Sequence, residues 1–112
     1  MRRTNTRNLF NNKKLCSEIQ NAIKSVTDRI EWESNLNLDA WDKEKGPCPV
    51  FKIDAIYVLK RGFVPLETYY AGETDEKKIK RKYTTSLMCY LNKNSSTLYV
   101  ISDFKIKLKK VQ

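Results

Sequence analysis

The run Lys77-Lys78-Ile79-Lys80-Arg81-Lys82-Tyr83-Thr84-Thr85-Ser86-Leu87-Met88-Cys89-Tyr90-Leu91 decides the fold. Read with a period of two, Ile79, Tyr83, Thr85, Leu87, Cys89 and Leu91 share one face, and Arg81 is the charged exception. Read as a helix, Ile79, Tyr83, Leu87 and Tyr90 form one stripe, with Thr74 as N-cap and Asp75 and Glu76 in the first turn. The β-branched pair Thr84-Thr85 tips the balance toward a strand. The following segment, TLYVISDFKIKLKK, alternates strongly, with Leu98, Val100, Ser102, Phe104, Ile106 and Leu108 on one face.

If 77–91 and 97–110 pair as strands, matching their apolar faces sets Tyr83 opposite Ile106, Cys89 opposite Val100 and Leu91 opposite Leu98. The other face then carries Lys80 opposite Lys109, Lys82 opposite Lys107 and Thr84 opposite Lys105, with Tyr90 and Tyr99 beside them. Directly opposed like charges destabilise a sheet by some tenths of a kcal/mol. A bound polyanion would reverse that cost by releasing counterions as it docks. The expected anion-binding set is therefore Lys80, Lys82, Lys105, Lys107, Lys109, Tyr90 and Tyr99, with the aromatics available to stack on unpaired bases.

Upstream, VFKIDAIYVLK places Phe51, Ile53, Ala55, Tyr57 and Leu59 on one face. Arg61-Gly62 is a turn candidate, and pairing Lys60 with Phe63 sets Leu59 opposite Val64, Tyr57 opposite Leu66 and Ile53 opposite Tyr70. Pro65 lacks an N–H, so its strand belongs at an edge. Leu15, Ile19, Ile23, Val26 and Ile30 make an apolar stripe that predicts a helix over about 12–34, capped by Asn11 or Asn12. Residues 35–49 show no sustained period. Leu36, Leu38 and Trp41 are expected to pin them to the body, and Gly46-Pro47-Cys48-Pro49 is turn chemistry. Residues 1–11 read as a flexible basic arm. The expected architecture is α+β, a single domain over 12–112 with the N-terminal amphipathic helix packed on a mainly antiparallel four-stranded sheet.

The 112 residues fit one domain and one modest core, and the small core leaves room for homodimerisation. There is no histidine, which excludes imidazole bases and imidazole metal ligands. Three widely spaced cysteines without Cys-x-x-Cys give no zinc set and no disulfide framework. Cys16 and Cys89 fall on apolar faces, and Cys48 between two prolines is a candidate exposed thiol. No glycine-rich phosphate loop can be assembled, and no cofactor or metal is expected. No apolar run is long enough to span a bilayer, and the N-terminus has no apolar secretory core. Those features point to an intracellular, reducing compartment, cytoplasm or nucleus, and to no membrane partner.

Charge is unevenly placed. Residues 1–14 carry five positive and no negative side chains, residues 15–76 are net −5, and residues 77–112 are net +9. Lysine outnumbers arginine 16 to 6. Lysine attracts as a point charge, which suits phosphate contact better than bidentate base reading. The expectation is a small, non-enzymatic basic protein that contacts nucleic acid phosphates through a lysine-rich sheet face. Alternatively, such a surface docks on an acidic protein, as a small interaction or inhibitor protein of viral or phage type would. Lysines on an exposed strand also serve simply to block edge pairing.

Ala55-Ile56-Tyr57 followed by Tyr70-Ala71-Gly72-Glu73-Thr74 resembles the two-strand core of the GIY-YIG nuclease family, over about residues 55–83. The resemblance implies that Tyr57 and Tyr70 correspond to active-site tyrosines. It implies that Arg81, or Lys80, corresponds to a phosphate-binding basic residue on the helix that follows. Ala55 stands where the family has its first glycine, and Tyr83 stands near a position often occupied by histidine. No glutamate follows Glu76 to match the family's metal ligand. The pattern is thus that of a degenerate GIY-YIG-like nuclease, and it requires 77–91 to be a helix.

Overall fold

The computed structural model describes residues 13–59 and 61–111, with side chains from Ser17 onward; the basic arm expected over 1–11 lies outside the described residues. The chain runs α1 (Lys13–Ala40), β1 (Val50–Val58), β2 (Gly62–Ala71), α2 (Glu76–Asn94) and β3 (Phe104–Lys110), with short 3-10 turns at Lys43–Lys45 and Ile101–Asp103. The class is α+β as expected, but the sheet has three strands, in the order β2-β1-β3, not four.

The missing strand is 77–91, which is helical. The side chain of Asp75 accepts from the Lys77 N–H, and Glu76 sits in the first turn, where the helix dipole favours an acid. Ile79, Tyr83, Leu87 and Leu91 recur every four residues and are all buried. As a strand the segment would have pointed Arg81 inward; as a helix it points no charge into the core. That desolvation cost, several kcal/mol for an unpaired ion, exceeds the few tenths that Thr84 and Thr85 sacrifice in helix propensity.

With 77–91 removed from the sheet, β3 pairs with β1 instead. Both helices then pack on one face of the sheet, α1 against β2 and α2, and α2 against β3. Ile19, Ile23, Val26 and Ile30 of α1, Ile79, Tyr83, Leu87 and Leu91 of α2, and Phe51, Ile53, Ile56, Val58, Tyr70, Phe104 and Ile106 of the sheet form one core.

The β1–β2 hairpin is present, but its register differs from the expected one. Phe51 faces Tyr70, Ile56 faces Val64 and Tyr57 faces Phe63, with an irregularity between Ile53 and Ala55. A residue inserted into a period-two pattern moves everything beyond it to the other face. Phe51 and Ile53 point toward the helices on one side of the irregularity, and Ile56 and Val58 do so on the other. Tyr57 therefore points outward. Strand β3 is also shorter than the alternation suggested: Leu98 and Val100 are exposed while Tyr99 is buried.

Helix α1 extends past the expected end at residue 34. Its last turns carry a polar row, Glu31, Ser34 and Asn37, that meets the C-terminal end of β2. The Thr68 hydroxyl donates to Glu31 Oε2 (2.9 Å), the Ala71 N–H donates to Ser34 Oγ (2.8 Å), and Asn37 Nδ2 donates to the Ala71 carbonyl (3.1 Å). The last two give the backbone of Ala71, at the end of the edge strand, partners it would otherwise lack. Leu36 and Leu38, expected to be anchors, are about half exposed. Trp41 is half-buried, and its Nε1 donates to the Gly46 carbonyl.

Candidate nucleic-acid interface

Both helices lie on one side of the sheet, so the other side forms an open face. Cross-strand partners share a face, and the pairing therefore arranges this one in rows. One row is Tyr69, Lys52 and Lys109; the next is Pro65, Ala55 and Lys107; the third is Phe63, Tyr57 and Lys105. The three β3 lysines form a column with about 6.8 Å between successive members. An aromatic group stands on β1 and β2: Tyr57 and Phe63 have ring centroids 5.2 Å apart, and Tyr69 is 47% exposed.

Lys52 is paired with Asp54 at 3.6 Å. Among the described residues, Lys105, Lys107 and Lys109 have no carboxylate within ion-pair distance. Glu67 is the exposed acid of β2. At the hairpin end the face runs into a groove of about 330 Å³ with Tyr57, Leu59, Phe104 and Lys105 in its wall.

The five-lysine ladder expected from the sequence does not form. Lys105, Lys107 and Lys109 share the open face, but Lys80 and Lys82 lie on α2 in the opposite layer. Lys80 pairs with Glu76 one helical turn away (3.1 Å), and Lys82 pairs with Glu33 of α1 (2.9 Å). Tyr90 is half-buried against the core, and Tyr99 is buried with its ring 5.8 Å from that of Phe104. Neither tyrosine accompanies the lysines. Lys52, Tyr57, Phe63 and Tyr69 do. Alternation alone turns Lys52, Phe63 and Tyr69 away from the expected core, but β3 joins β1 only once 77–91 leaves the sheet, and Tyr57 turns outward only at the irregularity between Ile53 and Ala55.

The residues of the GIY-YIG resemblance are also separated. Tyr57 lies on the open face and Tyr70 on the helix face, and the cross-strand partner of Tyr70 is Phe51, which carries no hydroxyl. Tyr70 is buried; its hydroxyl accepts from Asn37 Nδ2 (3.3 Å), and Lys82 Nζ lies 6.0 Å from its ring centroid. Burial pushes the Tyr70 phenol up, with the Lys82 charge opposing. The hydrogen bond to Glu33 holds the Lys82 ammonium above its usual range. Arg81 is exposed and lines an open cavity of about 450 Å³ with Glu73, Lys78, Lys82, Thr85 and Ser86.

Among the described residues no group of three or more Cys, Asp or Glu side chains could hold a metal ion, and no helix is long and apolar enough to cross a membrane. Cys48, a candidate exposed thiol, is buried, and its Sγ lies 3.6 Å from the Pro49 carbonyl. Cys89, expected in the core, is exposed. Comparison with protein-family models, with curated proteins and with solved structures gives no match.

Proposed function

We propose that this protein is a non-enzymatic nucleic-acid-binding module that holds phosphates on the open face of its sheet. The observation that carries the proposal is the column Lys105–Lys107–Lys109, unpaired by any described carboxylate and aligned by one strand. Alternate lysines on one strand point the same way, so their fields add rather than scatter. Lysine makes point-charge contacts, so binding would tolerate many sequences. Edge protection alone would explain lysines on β3. It would not explain the aromatic residues on the same face, the exposed Tyr69 and the half-buried Tyr57 and Phe63.

A second reading is supported by the turn after β2. Gly72 has φ +85°, and a Cβ there would stand 2.7 Å from Asn37 Cβ, so the close strand-to-helix turn requires glycine. The helix that follows carries Arg81 beside a basic cavity, in keeping with a degenerate GIY-YIG-like scaffold that retains a phosphate contact but not a tyrosine pair.

Titration of a fluorescent oligonucleotide with the full chain over a range of salt tests the main proposal. Affinity that falls steeply with salt supports it. A flat salt response, or a discrete complex with an acidic protein and no nucleic-acid binding, overturns it. Metal-dependent nicking that is lost in Arg81→Ala would instead favour the nuclease scaffold.

A further inference from the structure

We infer that the open face selects an unpaired nucleic-acid strand, whose bases stack on Tyr57, Phe63 and Tyr69 while its backbone follows Lys105, Lys107 and Lys109. This rests on the nucleic-acid reading above and adds the class of ligand.

The aromatic residues are the reason. They stand on the side of the sheet away from both helices and contribute little to the core. Tyr69 keeps 47% of its surface exposed. A duplex offers a protein only its phosphates and the edges of its bases, because the base faces are already stacked on one another. Accessible ring surface on a sheet gains nothing from such a ligand. Unpaired bases expose their faces, and each base stacked on an aromatic ring is worth about 1–3 kcal/mol.

The spacing fits the same ligand. The aromatic column of β2 and the lysine column of β3 flank β1, two strand separations or about 9.6 Å apart. A base resting on β2 or β1 thus leaves its phosphate near β3, so one nucleotide is held at both ends. The groove beside Tyr57 and Lys105 continues the face and gives a next base somewhere to go. Glu67 sits on β2, away from the lysine column, and so does not neutralise the track along which the backbone would run.

Fluorescence anisotropy with the full chain at one fixed salt concentration tests this. The probes are an unpaired deoxythymidine oligonucleotide of about twelve residues, its uridine counterpart and a hairpin duplex of equal length. The unpaired strands should bind at least about tenfold more tightly than the duplex. Tyr69→Leu should weaken unpaired binding by about 5- to 150-fold and leave duplex binding unchanged. Tyr69 is exposed, so the variant remains folded, which its urea midpoint verifies. The two unpaired probes differ in the sugar hydroxyl and the base methyl, and both should bind, because stacking requires neither. If duplex and unpaired strand bind alike and Tyr69→Leu changes neither, the stacking inference is overturned while phosphate binding stands. If no probe binds, both readings fall.

Discussion

Replacing the lysine column as a unit, K105Q/K107Q/K109Q, isolates the electrostatic part of the proposed interface. The three side chains are exposed and make no ion pair with a described residue, so stability should change by no more than about 0.5 kcal/mol. Each lysine that neutralises a phosphate of a single strand contributes about 0.7 to the slope of log affinity against log salt, so the column contributes about 2.1. Between roughly 50 and 200 mM salt that amounts to about 1.3 decades of affinity. The wild-type chain should lose that much more binding than the variant across the range, measured by anisotropy at several salt concentrations. K77Q/K78Q on α2, in the opposite layer, is the control and should leave the slope unchanged. If the column variant keeps the wild-type slope, the phosphates are not on this face. If both variants lower it equally, the attraction belongs to the net charge of the molecule and not to an aligned site.

Three further outcomes follow from the core and its edges. The Tyr83 hydroxyl is fully buried and finds no hydrogen-bond partner among the described residues, so Tyr83→Phe should stabilise the fold by about 1 kcal/mol in urea denaturation; a loss of that size would show that the hydroxyl is satisfied. Gly72→Ala forces a side chain at φ +85° into Asn37 and should cost about 2 kcal/mol or more, and a cost below about 0.5 would contradict the close approach of α1 to β2. Tyr70, Lys82, Tyr83 and Tyr99 all hold their protons more tightly folded than unfolded, chiefly through burial for the tyrosines and through Glu33 for Lys82. Their contribution is complete below the unfolded values of 10.0 for tyrosine and 10.5 for lysine and is lost as pH rises beyond them. Urea midpoints should stay level with respect to these groups through neutral pH and fall above about pH 10, less so in Tyr83→Phe; equal falls in the two proteins would contradict the role of burial at Tyr83.

Much of the fold is legible in local pattern. The stripe Ile19, Ile23, Val26 and Ile30 marks the buried face of α1, because a helix on a sheet must carry apolar residues every three or four positions. The hairpin over 50–71 follows from two alternating runs joined at Arg61-Gly62. The polar row Glu31, Ser34 and Asn37 was not legible, since the helix was expected to end near residue 34 and the row's partners, Thr68 and Ala71, lie more than thirty residues away. At the candidate site, Lys105, Lys107 and Lys109 were readable as one face from alternation alone.

Two features depended on tertiary structure. The first is the conformation of 77–91, where strand and helix templates both matched, and the penalty for burying Arg81 chose the helix and sent Lys80 and Lys82 to the far layer. The second is the register irregularity between Ile53 and Ala55, which turned Tyr57 outward and set it beside Lys105. The amino-acid order by itself determined which segments could be amphipathic. Which strand β3 joins, and which side of the sheet each residue beyond the irregularity faces, was decided by long-range pairing and by the single layer of helices, because those choices keep Arg81 out of the core and set Ile56 and Val58 against the helices in place of Tyr57, and no short window contains them.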